Sequence, residues 1–171
     1  MRNIPKVYSN MNLYNKGQKL LGVNAEVTLP NLEHITESIS GAGMAGEIEV
    51  WTPGHFPALP IEIPFRIAHD DAYDLFTPGR KTIILRTAIQ SENAVTGDDV
   101  LEGMKVTIGG ASKSIDLGKV SPGKVGESKV TLDAQYLKVE KSGKVLLELD
   151  KKNMIYVING KDYLEAHRNL I

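Results

Sequence analysis

The chain has no cysteine. Disulfide staples, thiolate zinc sites and cysteine nucleophiles are therefore excluded, and stability has to come from packing or from neighbouring subunits. Aromatic residues are scarce at 6%, with a single tryptophan. Core packing is expected to use up Trp51, Phe56, Phe65, Tyr73 and Phe76, leaving no stacking platform for sugar or single-stranded nucleic acid. An excess of either charge is missing too: 20 basic residues stand against 21 acidic ones, a net charge of -1, so no global field holds nucleic acid or an anionic membrane surface. No run approaches the roughly 18 consecutive apolar residues of a membrane span, and MRNIPKVYSNMNLYNKG has no apolar signal-peptide core. The expectation is a chain made and folded in cytoplasm that does not itself insert into a membrane.

What is there amounts to about one domain, 171 residues long, enough for a single core. The first seventeen residues mix Pro5, Gly17 and four asparagines with isolated apolar residues, which suits an extended arm. From Lys19 to Leu29 the apolar Val23, Ala25, Val27 and Leu29 alternate with polar residues, the signature of a half-buried strand, and Leu32 to Ile39 can continue as a second. SGAGMAG reads as a loop tip. Strands are predicted at Glu47–Thr52, Ile61–Arg66 (at an edge or bulge because of Pro64), Thr82–Gln90, Gly103–Ile108, Ser112–Leu117, Ser128–Val139, Lys144–Leu149 and Met154–Ile158. A short helix is predicted from His69 to Phe76, with acids in its first turn and Thr77-Pro78-Gly79 as its stop. Ser142-Gly143 reads as a hairpin turn. Asn159-Gly160 reads as the passage from the last strand into a charged terminal helix.

Several motifs imitate chemistry. GAGMAG matches GxGxxG letter for letter, but the following residues alternate as a strand where a pyrophosphate site needs a helix N-terminus. Gly118 to Lys124 imitates a Walker A spacing, yet Val125 follows in place of a magnesium-binding hydroxyl. His69-Asp70-Asp71 suits helix capping better than metal binding, because three consecutive side chains do not converge on one ion. His34, His55 and His167 are scattered and read as surface or interface residues. No GxSxG elbow supports a serine nucleophile.

The order and spacing of MNLYNKG, VTLPNLEHITESISGAGMAGEIEV, ELDKKNMIYVING and the terminal DYLEAHRNLI resemble the major tail tube proteins of contractile-tailed bacteriophages and the related R-type tailocins. The most specific parts are TLP followed by GAGMAG, and NMIYVING ahead of a segment ending in HRN. Gly54 to Ser121 is less specific. The resemblance implies a mainly β, sandwich or barrel-like tail-tube fold with one short internal helix and a C-terminal helix, built as an arm over 1–17 and a single tube domain over 18–171. It implies a non-enzymatic subunit without cofactor, found in the virion tail, whose hexameric rings stack around a channel. Its partners would be further copies of itself, the sheath, the baseplate or tube initiator, the tape measure protein and, passively, DNA.

Within that reading the arm and the loop are the expected subunit or ring contacts, through Tyr14, Leu32, Gly41, Gly43, Met44 and Gly46. Arg86, Lys129 and Asp133 are expected polar positions facing the lumen or the sheath, a solvated strand face being the alternative account. Two other classes stay open: a carbohydrate-binding or adhesion module, which would show an exposed aromatic platform, and a small hydrolase, which would show a pocket with perturbed titratable groups.

Overall fold

A computed structural model describes residues 3–24 and 26–171. Met1 and Arg2 of the expected arm, and Ala25 of the expected first strand, lie outside them.

The spine is an antiparallel meander whose strands alternate as the sequence pattern demands. In chain order the elements are β1 (Asn3–Asn15), β2 (Gln18–Lys19), β3 (Thr36–Ile39), β4 (Ile48–Trp51), β5 (Pro60–Phe65), α1 (Asp70–Phe76), β6 (Arg80–Asn93), β7 (Asp99–Asp116), β8 (Ser128–Lys141), β9 (Lys144–Asp150), β10 (Ile155–Ile158), β11 (Lys161–Asp162) and α2 (Glu165–Arg168). The large sheet runs β11-β10-β9-β8-β7-β6-β1-β2, with β5 alongside β8; β3 and β4 form a separate hairpin. The large sheet is open.

Along β6, Ile83, Leu85, Ile89 and Ser91 are buried while Thr82 and Arg86 face outward, the two-residue period of a strand with one wet face. The strand predicted to end at Gln90 runs on to Asn93. Ser91 and Glu92 still pair with Val100 and Asp99, because the Ser91 hydroxyl donates to the Glu102 carboxylate at 2.5 Å and its burial is thereby satisfied.

The two strands expected at Gly103–Ile108 and Ser112–Leu117 are one, β7. Gly109-Gly110 does not break it. The backbone of β8 comes so close that a Cβ on Gly110 would overlap the Asp133 carbonyl, so these glycines serve close approach. Opposite them Gln135 is bulged out of the β7–β8 register, and the bulge swaps the buried positions of β8 from Ser128, Val130, Leu132 and Ala134 to Leu137. It also divides the strand: the first half pairs with β5 and the second with β9.

β5 supplies the densest part of the core, with Ile61, Ile63 and Phe65 fully buried alongside Leu59. Pro64 lies in this edge strand, as its missing N–H requires. Helix α1 lays Ala72 and Leu75 over the β7–β8 side. Its Asp71 carboxylate accepts the Leu21 N–H at 2.7 Å, and the His69 ring contacts the Ile67 carbonyl, so the His69-Asp70-Asp71 run is tied to backbone.

Three expectations are corrected. The described residues of Lys19–Leu29 do not form a regular strand: they meet β5 through single bridges, Val23 to Phe65 and Thr28 to Glu62, and Gly22 turns the chain at φ 68°. Leu32–Ile39 is a strand only from Thr36. Asn159-Gly160 closes a two-residue hairpin into β11, both residues having the positive φ that a type I′ turn needs (50° and 85°). The terminal helix therefore starts later, at Glu165, and is four residues long. The segment expected as an extended arm is extended, and it lies along β6 from Asn3 to Asn15.

Candidate functional site

The β3–β4 hairpin stands off the body with every strand residue exposed. Its register, Ile39 opposite Ile48 and Glu37 opposite Val50, puts Ile35, Ile39, Ile48 and Val50 on one face, each 45–54% exposed. Gly41 to Gly46 form the tip, closed by the Met44 N–H on the Gly41 carbonyl at 3.1 Å; GAGMAG thus joins two strands. Four aliphatic side chains thus share one solvent-exposed face, with Glu37 beside them.

The hairpin is rooted in an aromatic cluster. The His34 ring lies 4.8 Å from Trp51, 4.7 Å from Phe56 and 5.8 Å from Tyr156, and Phe56 stacks edge-on with Tyr156. His34, expected at a surface or an interface, is half-buried there. The core takes Phe56 and Phe65 fully, but Trp51, Tyr73 and Phe76 stay 40–50% exposed, contrary to the expectation that packing would use them all.

The sheet has an uncovered strand on each flank. On one, the outer half of β1 exposes Ile4, Val7 and Tyr8, with Pro5, two register shifts and a Lys6 ion pair to Glu92 (2.6 Å) and Asp99 (3.2 Å). These are features that blunt an edge against indiscriminate pairing. On the other, β10 carries only the two-residue β11. Asp162 and Arg168 pin that end, the guanidinium 2.5 Å from the carboxylate and also on the Met154 carbonyl.

The outward face of the sheet is polar and ion-paired. Arg86, Lys105 and Glu140 form one cross-strand row, and Thr107, Lys138 and Glu148 the next. Lys105 binds Glu140 at 2.6 Å, and Lys138 lies 3.7 Å from both Glu140 and Glu148. The Lys105 bond holds Glu140 below the usual carboxylate range. Burial, then the hydrogen bond to Glu148, pushes the Tyr136 phenol up to about 12.

The structure brings two of the expected site residues together: the Arg86 guanidinium sits 5.6 Å from the centre of the Tyr14 ring. Lys129 and Asp133 each have a partner in the same subunit. Lys129 pairs with Glu62 at 3.2 Å, and the Asp133 carboxylate accepts the Leu59 N–H at 2.9 Å. Leu32 packs against its own core, while Gly41, Gly43, Met44 and Gly46 are exposed at the hairpin tip.

Sequence reasoning missed a groove on the β1–β6 flank. It encloses about 500 Å³ between Tyr8–Met11, the residues Val23, Asn24, Glu26, Val27 and Leu29, Arg66, and a floor of Leu85, Thr87 and Met104. A second hollow beside it shares Arg66 and reaches Lys19. One signal could have pointed here: no lysine or arginine lies between Lys19 and Arg66, against six glutamates. Among the described residues, no three His, Asp or Glu side chains converge as metal ligands, and no helix is long and apolar enough to cross a membrane.

Residues 5–171 match the family of phage tail tube protein FII. The chain is also 32% identical, over 181 aligned positions covering 98% of each sequence, to the tail tube protein of Escherichia phage P2.

Proposed function

This chain belongs to the phage tail tube protein family, and from that premise we propose that it builds the inner tube of a contractile tail or tail-like particle as stacked hexameric rings around a channel. Its role is that of a structural tube subunit of the virion tail. The observation that carries the finer reading is the sheet itself: one face is buried in the subunit core, the other is a ladder of paired charges, and both flanks end in uncovered strands. Such a sheet continues edge to edge into neighbouring copies and turns its polar face to a water-filled lumen.

In that arrangement Tyr14, Arg86, Lys105 and Glu140 face the channel. The balanced charges of that row neither hold DNA nor repel it strongly, so passage is passive. The hairpin tip, Gly41 to Gly46, contacts an adjacent subunit or ring. The tube would be assembled in the host cytoplasm, enclosed by the sheath, started on a baseplate initiator and measured by a tape measure protein; the subunit itself does not enter the membrane.

Negative-stain electron microscopy of concentrated protein, alone and with its baseplate initiator, tests the reading. Six-fold rings or hollow tubes are expected from the intact chain, and none from a chain lacking residues 41–46. Compact monomers from the intact chain under every condition would overturn it in favour of a binding module.

A further inference from the structure

We propose that the β3–β4 hairpin of one copy seats in the Arg66 groove of a second copy. This rests on the self-assembly proposed above and names the surface that receives the hairpin. Three features of the two surfaces match. The hairpin offers water an apolar face, Ile39, Ile48 and Val50, with Met44 at its tip, and the groove floor offers Leu85 and Met104. Joining them removes from water the hairpin face together with the half-buried Met104 and the exposed Leu29 at the groove rim, Leu85 being already buried. The charges are complementary: Glu37, Glu47 and Glu49 line the hairpin, while Arg66 and Lys19 flank the groove, where Glu26 is the one acid. Among the described residues none of Glu37, Glu47, Glu49, Glu26, Arg66 and Lys19 has an ion-pair partner. Finally, the Thr87 hydroxyl at the groove floor is buried with no hydrogen-bond partner among the described residues. A buried unpaired hydroxyl is costly, and a backbone carbonyl or N–H of an inserted loop would satisfy it.

Topology makes the contact one between copies. The hairpin is rooted on Tyr156 of β10, and the groove lies on β6 and β1, four and five strand spacings away along the sheet, or roughly 19–24 Å. Within one copy the hairpin stays exposed. Two unlike surfaces on opposite flanks make a heterologous contact, which repeats until it closes into a ring or continues as an open array.

The absence of native cysteine gives a clean test. One variant carries Met44→Cys and a second carries Leu29→Cys at the groove rim; they are mixed under assembly conditions and oxidised. A disulfide between the unlike variants is expected, with none when Met44→Cys is mixed with Lys113→Cys on the far part of β7. Independently, Arg66→Glu is expected to slow ring formation about tenfold at low salt, and less at high salt where the charges are screened. Glu37→Lys with Glu49→Lys in the same chain should restore it. Wild-type rings with no Met44–Leu29 crosslink, or an Arg66→Glu chain that assembles at the wild-type rate, would overturn the inference while leaving the tube reading intact. Absence of both rings and crosslinks in the wild-type background would remove both.

Discussion

Gly110 has no room for a side chain. Its hydrogen points at the Asp133 carbonyl of β8, so Gly110→Ala forces β7 and β8 apart. A loss of about 1–3 kcal/mol is expected for such overpacking, read as a lower urea midpoint in equilibrium unfolding. Asp150 behaves differently. Burial pushes its carboxyl up, but the Asn153 side chain and the N–H groups of Asn153 and Lys152 outweigh that and hold it below the ordinary value. A depressed folded value means the stabilisation is complete above the unfolded aspartate range, near about 4, and is lost as pH falls through the folded value. Asp162, lowered by its Arg168 bond, acts in the same direction. Thermal midpoints of wild type and Asp150→Asn, compared between about pH 2 and 6, should converge toward the acid end and separate above it. Identical pH profiles would contradict the assignment. At this scale the sequence was only half legible: Lys129 and Asp133 stood out as polar strand positions, but Glu62 and Leu59, which occupy them, arrive from another strand through β5–β8 pairing that no local pattern encodes.

At the scale of elements, alternation located β5, β6 and β8 well, since each buries every second residue over most of its length. Where glycine intervened, the pattern was ambiguous. Gly109-Gly110 marks close approach within β7, whereas Gly22 in left-handed backbone ends the regular pairing expected from Lys19 to Leu29. At Asn159-Gly160 the turn chemistry competes with the charged terminal residues, which point to a helix; β11 is only two residues long and carries almost no pattern of its own. The hairpin root offers a direct check. Phe56 is 8% exposed and stacks on both His34 and Tyr156, so Phe56→Ala should cost about 3–5 kcal/mol. It should also shift the emission of Trp51, the chain's only tryptophan, whose His34 neighbour loses its support. An unchanged spectrum in the folded variant would show that the hairpin is not anchored there.

For the whole molecule, the mainly β class and the tail tube family were legible from strand patterning and from four sequence segments. The openness of the sheet and the groove on its β1 flank were not, because both depend on which strands lie side by side. Deleting residues 41–46 should leave the subunit's own stability within about 0.5 kcal/mol of wild type, since the tip buries nothing in the core. The same deletion should leave only monomers in sedimentation velocity under conditions where the intact chain assembles. A marked loss of fold stability would instead make the tip part of the subunit core. The placement of the hairpin and the groove on opposite flanks has one more consequence. A ring made by repeating such a contact has a direction of travel around its circumference, and therefore two faces that differ. A tube stacked from these rings has unlike ends, one able to be recognised by whatever starts growth and the other by whatever stops it, without any second kind of subunit along its length.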